Sequence, residues 1–228
     1  MPYGKFKKAK KFSKSRKNKV AVPWYNRKYT PKELASKALS GVKYLYGLVN
    51  SELYKFDLSN SSTSITSDAP LVTHLTAIAT GDGEGQRTGN SIFVRSVDLK
   101  GVLMYNSSST VQAQTVECII LIDTQQLGDT APAFTDVFSS AVPWAHLNAS
   151  TVGRFIILGR KRIILEKNGD GAKSVNLSIP LKHHVRFNGT ASSDVQKGGI
   201  YLMMVSDIAT ASNPPVFNSH IRVSYHDN

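Results

Sequence analysis

The chain has 228 residues, a 41% hydrophobic fraction and a formal net charge of +12, enough for one large domain or one domain with a tail. Its single cysteine, Cys118, excludes a scaffold built on intrachain disulfides and fits an intracellular folding compartment better than a secreted one. No apolar run approaches the ~20 residues of a membrane-spanning helix, Cys118 to Ile122 being strand-sized, so membrane insertion is not expected.

The placement of the charge is more informative than its size. Of the 28 Lys and Arg residues, twelve lie in residues 1–32, with no Asp or Glu among them. The other sixteen are balanced by sixteen Asp and Glu in residues 33–228. A neutral body with a cationic tail is two devices joined. Residues 1–29 read as a basic arm, disordered when free because it has little to bury and repels itself. Lys5, Lys7, Lys8, Lys10, Lys11, Lys14, Arg16, Lys17, Lys19, Arg27 and Lys28 are its candidate phosphate contacts, and Lys32 follows them. Tyr3, Phe6, Phe12, Trp24 and Tyr25 are interleaved with these charges and suit stacking on unpaired bases. The runs Lys7 to Lys11 and Lys14 to Lys19 also have the composition of nuclear localisation signals, which are short and common by chance.

Residues 30–50 read as a short helix and linker. Thr30-Pro31-Lys32-Glu33 places Thr at the N-cap, Pro at the first helical position and Glu where it can bond back to the cap. Leu34, Ala38, Val42 and Leu45 then recur at helical spacing, predicting a helix over roughly 31–46. Residues 51–228 have the texture of strands between Gly, Asn, Ser and Asp clusters. Tyr54, Phe56 and Leu58 alternate with polar residues; Leu71 to Ile78 is a weaker strand. Ile92 to Tyr105 is long, with an alternation break near Ser96 that suggests a bulge. Val116 to Ile122 and Phe155 to Leu165 follow, the latter interrupted by Gly159. Val175 to Ile179 is expected to end at Pro180, with Val185 to Phe187 separate, and Ile200 to Val205 and Val216 to Tyr225 close the chain. Long loops fall at 59–70, 80–90 and 124–153. Eight or nine strands with almost no helix between them predict an all-β fold, a single eight-stranded antiparallel jelly roll of two packed sheets.

Catalytic motifs are missing, and no enzyme activity is expected. Gly81 and Gly83 are followed by Gln86 where a dinucleotide motif needs Gly, and no Gly-Lys-Ser/Thr exists. The Gly-rich loop reads as a flexible turn, with Asp82 and Glu84 a remote metal candidate. His183 and His184 are adjacent on a strand and point to opposite faces, so they cannot easily share one ion. Neither a metal site nor a cofactor is expected. Cys118 in its apolar strand reads as a buried, inert thiol. Arg160-Lys161-Arg162 reads as a solvated or genome-facing strand segment, and Asn168 to Gly171 as a hairpin turn. The sequons at Asn106 and Asn188 are at chance level in a Ser/Thr-rich chain.

The stretch Gly81-Asp82-Gly83-Glu84-Gly85-Gln86-Arg87-Thr88-Gly89-Asn90-Ser91-Ile92 resembles a segment of capsid proteins of small circular single-stranded DNA viruses. Those proteins also resemble the shell protein of small satellite plant viruses. The order matches too: lysine-rich arm, short helix, strand, Gly-rich loop, long strand. The resemblance implies a viral capsid protein that self-assembles into a closed icosahedral shell, T=1, with the arm inside on a single-stranded DNA genome. The arm here is lysine-dominated where many circovirus arms are arginine-rich, so RNA stays open as the genome. The resemblance further implies virion and host-nuclear localisation, with nuclear import factors and a cell-surface receptor as partners. Closed shells need heterologous contacts, for which Phe134, Phe138 and Trp144 are candidates, with a core-covering loop the competing reading. A non-viral nucleic-acid-binding protein with a β-sandwich body explains the tail but not the neutral body, and a secreted lectin explains neither tail nor leaderless start.

Overall fold

The computed structural model describes residues 30–49, 52–126 and 130–227. The chain divides into two units, the first ending at Val49 and the second running Asn50–Asn228.

Helix α1 spans Pro31–Val49. Its start is the expected capping box. The Glu33 carboxylate accepts from the Thr30 backbone N–H and from its hydroxyl, both at 2.9 Å, while the Glu33 N–H donates to Thr30 Oγ1 at 3.4 Å. These bonds to the charged form hold the Glu33 carboxyl below its usual range. Leu34, Leu39, Val42 and Tyr44 are exposed along the helix.

The second unit is two antiparallel sheets. Its strands are β1 (Tyr54–Ser64), β2 (Leu71–His74), β3 (Ser91–Met104), β4 (Ala113–Asp123), β5 (Phe155–Glu166), β6 (Ala172–Phe187), β7 (Val195–Lys197), β8 (Gly199–Ser206) and β9 (Val216–Asp227). One sheet has the order β1-β9-β3-β6-β7 and the other β2-β8-β4-β5. The chain crosses between sheets at nearly every connection, which makes this a jelly roll, with the short β7 added to one sheet. Inward residues of both sheets form one core, including Ile92, Val97 and Leu99 of β3, Val116 and Ile120 of β4, Leu202 and Met204 of β8, and Ile221 and Val223 of β9.

Two strands break the alternation of the rest. β8 is buried at every position and β4 nearly so. Their odd-facing residues Ile119, Leu121, Tyr201, Met203 and Val205 form a second cluster with Phe134, Val137 and Phe138 from the loop after β4. That loop includes the short helix α2 (Phe134–Val137) and lies over the outer face of the four-stranded sheet. Strands covered on both faces read as continuous apolar runs.

Three expectations need correction. Pro180 does not end a strand: β6 runs through it and joins the two predicted segments. Proline survives there because Pro180 pairs with Ser96 beside a bulge between Val94 and Ser96, and β7 covers β6 only at Arg186 and Phe187. β1 extends to Ser64 into the predicted 59–70 loop, where the Ser62 N–H donates to Asn218 Oδ1 at 2.6 Å and Asn60 Nδ2 donates to Ser219 Oγ at 3.2 Å. The turn at Asn168 to Gly171 joins β5 to β6, which lie in different sheets, so it is a crossover and not a hairpin. Gly159 stays within β5, opposite a register shift at Ile120/Leu121. Cys118 is fully buried, and desolvation pushes its thiol up to about 12.

Candidate assembly and nucleic-acid surfaces

The loop between β4 and β5 is built around two buried carboxylates. Asp123 ends β4, fully buried, and accepts Arg154 Nε at 2.8 Å and Nη2 at 2.5 Å. It thereby ties the two ends of the loop together. Glu117, 3% exposed in mid-β4, accepts Arg160 through two bonds of 2.8 Å and Arg162 through one of 3.3 Å. The same guanidiniums reach over the loop: Arg160 Nη2 donates to the Ala145 carbonyl at 3.2 Å and Arg162 Nη2 to the Pro143 carbonyl at 2.8 Å. The hydrogen bonds raise Arg160 above its ordinary range. Both bonded carbonyls flank Trp144, which is 56% exposed. A large aromatic side chain is thus held outward on a backbone clamped from both sides.

The three residues expected at an assembly interface therefore separate. Phe134 and Phe138 stack at 4.8 Å between ring centroids in the second core, 4% and 1% exposed, and present no surface. Only Trp144 faces out. Arg160 and Arg162 are not simply solvated; alternation along β5 sets them on the face of Glu117, one residue either side of Lys161, whose ammonium lies 3.4 Å from the Ser174 carbonyl. The clamp escaped sequence reasoning because its acid lies 43 residues from Arg160. The one available signal was a Glu interrupting an otherwise apolar buried strand.

The outer face of the five-stranded sheet is polar and basic. β3 places Phe93 there, with His184 of β6 and His226 of β9 as its register partners on either side. The Phe93 and His184 rings lie 4.7 Å apart, and the Arg95 guanidinium, released by the bulge, sits 5.7 Å from the Phe93 ring. Farther along β3, Lys100 pairs with His220, and a shallow depression is bounded by Asp98, Lys100, His220 and Arg222. Arg222 is bound to Asp57 by two bonds of 2.7 Å, which lower the Asp57 carboxyl. Among the described residues, no carboxylate lies within ion-pair distance of Lys55, Arg95, Lys100, Lys182 or Arg186. The period-2 pattern of β3 and β6 already placed these groups on one face, but sequence reasoning used that pattern only for the core.

The Gly81 to Ile92 segment is a structural latch. Gln86 Oε1 accepts the Gly83 N–H at 2.8 Å and occupies the space a Cβ on Gly81 would need. Arg87, fully buried, donates to the carbonyls of Ile78 at 2.9 Å, Gly89 at 2.6 Å and Gly189 at 2.5 Å and lies 3.8 Å over the Phe187 ring. Thr88 donates through N–H and hydroxyl to Asp227, and the Tyr225 hydroxyl donates to the Gln86 carbonyl, so the loop grips the end of β9. His183 meets the Gly198 carbonyl at 3.0 Å while His184 meets Phe93. Among the described residues no three His, Cys, Asp or Glu side chains gather to hold a metal ion. The arm residues Tyr3 to Lys28 named above lie outside the described residues.

A family model described as satellite tobacco necrosis virus coat protein matches residues 29–228. No curated protein sequence matches the chain significantly. Among solved structures, a Desmodium yellow mottle tymovirus chain is 8% identical, with 76% of this chain and 87% of that chain covered and a TM-score of 0.35. A chain of a Kashmir bee virus empty particle at acidic pH is 11% identical, covering 95% and 85%, with a TM-score of 0.34. A chain titled as an activated KBV particle at acidic pH is 13% identical, covering 98% and 87%, at 0.39.

Proposed function

The chain belongs to the satellite tobacco necrosis virus coat protein family, and from that premise we propose that about sixty copies close into a small T=1 icosahedral shell and package a single-stranded genome through the arm. As a coat protein it is a virion component that associates with itself. The observation that carries the packaging reading is the segregation of charge: all of the +12 excess lies in residues 1–32. Twelve cations neutralising phosphates give a salt slope of about −8 on a single strand. Lysine is a point charge without a fork, so binding is nearly blind to sequence, as coating a whole genome requires. The neutral body lets copies approach without large like-charge repulsion.

Single-stranded DNA is the genome class that the Gly81 to Ile92 resemblance supports; RNA serves the arm's chemistry equally, and nuclease sensitivity of the packaged strand decides. Import of the coat protein through Lys7 to Lys11 and Lys14 to Lys19, by host nuclear import factors, accompanies the DNA reading. A cell-surface receptor follows from the virion role. Trp144 is the proposed copy–copy contact, because it alone of the three aromatic candidates is exposed and its backbone is clamped.

The test is substitution of Lys5, Lys7, Lys8, Lys10 and Lys11 with Gln in the full chain. Particles that form with reduced nucleic-acid content support the reading. Unchanged content refutes it.

A further inference from the structure

We propose that the outer face of the five-stranded sheet, centred on Phe93, is a second nucleic-acid surface that stacks unpaired bases; this rests on the packaging function proposed above but not on the arm. Three observations converge there. His184, Phe93 and His226 form a row across β6, β3 and β9, with the Phe93 and His184 rings 4.7 Å apart. Arg95 adds a cation 5.7 Å from the Phe93 ring. Arg186, Lys100 and Arg95 have no carboxylate within ion-pair distance among the described residues.

An aromatic platform fringed by unpaired cations is the combination that single strands use, bases on the rings and phosphates on the charges. Geometry excludes insertion of this face into a duplex groove. Strands about 4.8 Å apart make a face about 14 Å across its four main strands, too broad for a major groove of about 12 Å. A single strand can lie along it. Of the Asp carboxylates on this face, Asp57 is neutralised by Arg222; Asp98, which accepts from the hydroxyls of Ser96 and Ser178, keeps its charge and sits between the cations Arg95 and Lys100 on β3.

The experiment uses the full chain and photocrosslinks it to a short oligothymidylate, with peptides mapped afterwards. Affinity is measured in parallel for oligothymidylate, an abasic strand of equal length, and heparin. Crosslinks are expected in the peptides holding Phe93 and His184 as well as in residues 1–29. Phe93→Leu with His184→Ala should weaken oligothymidylate binding about 5-fold or more and shrink its advantage over the abasic strand. A second variant, Arg95→Ala with Lys100→Ala and Arg186→Ala, alters only exposed side chains and should reduce the salt slope by about 2. Crosslinks confined to residues 1–29, with both variants binding as the parent, would overturn this surface and leave arm packaging standing. A parent chain that binds no oligonucleotide would overturn both. Loss of heparin binding alone in the charge variant would overturn it in favour of a sulfated glycan.

Discussion

Removing Arg160 should cost more than removing Arg162, and deleting Glu117 as well should restore part of the loss. In Arg160→Ala, Glu117, whose side chain is 3% exposed with both arginines in place, keeps only the 3.3 Å contact from Arg162. Breaking a buried pair from one side costs about 3–5 kcal/mol. The surviving Arg162 places this case near about 3 kcal/mol, or a fall in Tm of roughly 6–12 °C for a chain of this size. Arg162→Ala leaves the two 2.8 Å bonds from Arg160 intact. Its own side chain is 47% exposed, so about 1 kcal/mol is expected. In Arg160→Ala with Glu117→Leu no charge is left buried, and the leucine joins the apolar surroundings of Ile119 and Phe138. The double variant should therefore be more stable than Arg160→Ala alone, a coupling of about 2 kcal/mol. Urea unfolding of unassembled protein measures the parent, Arg160→Ala, Arg162→Ala, the double variant and Glu117→Leu alone, which closes the cycle. Losses that simply add would refute the clamp as an ion-paired unit.

Burial lowers His74 from 6.5 to about 4. Between those values the unfolded chain takes up a proton that the folded chain refuses, so stability falls as pH drops through the window, by up to about 3 kcal/mol, and levels off below it. His74→Phe replaces the titratable ring that stacks 4.6 Å from Tyr201 with a neutral aromatic one and should flatten a Tm profile between pH 6.5 and 4; an unchanged slope would assign the acid sensitivity elsewhere. Arg87→Met leaves the carbonyls of Ile78, Gly89 and Gly189 without their donor, costing more than about 3 kcal/mol of unfolding free energy measured in urea; a neutral result would contradict the latch. Gly101→Ala should destabilise by at least about 1 kcal/mol in the same assay, because the new Cβ would lie 2.7 Å from the Phe217 ring and 3.0 Å from the Asn218 carbonyl. Trp144→Ala should leave Tm within about 1 °C while reducing particle yield by light scattering; normal yield would remove Trp144 from the interface.

The alternating strands were legible because one buried face repeats every second residue, and the Thr30 cap because its partners are three residues apart. β1 beyond Leu58 was not, since Asn60 and Ser62 are held by side chains of β9 more than 150 residues away. Pro180 misled for a related reason: a proline's cost depends on whether a neighbouring strand needs its N–H, and sequence does not show the neighbour. Phe134, Phe138 and Trp144 are equally aromatic and lie in one loop, yet two are core and one is surface. Nothing local distinguishes them, because the choice is made by the outer face of β4 and β8. The Gly81 to Ile92 segment stood out in the sequence for its resemblance to another family's segment; in the structure its residues hold the fold together, Arg87 on three carbonyls and Thr88 on Asp227.

Negative-stain imaging of the purified recombinant chain, with its absorbance ratio at 260 and 280 nm, tests the coat-protein account most directly. The account predicts uniform closed particles that carry nucleic acid. Dispersed monomers across salt conditions and with added single-stranded nucleic acid would contradict it.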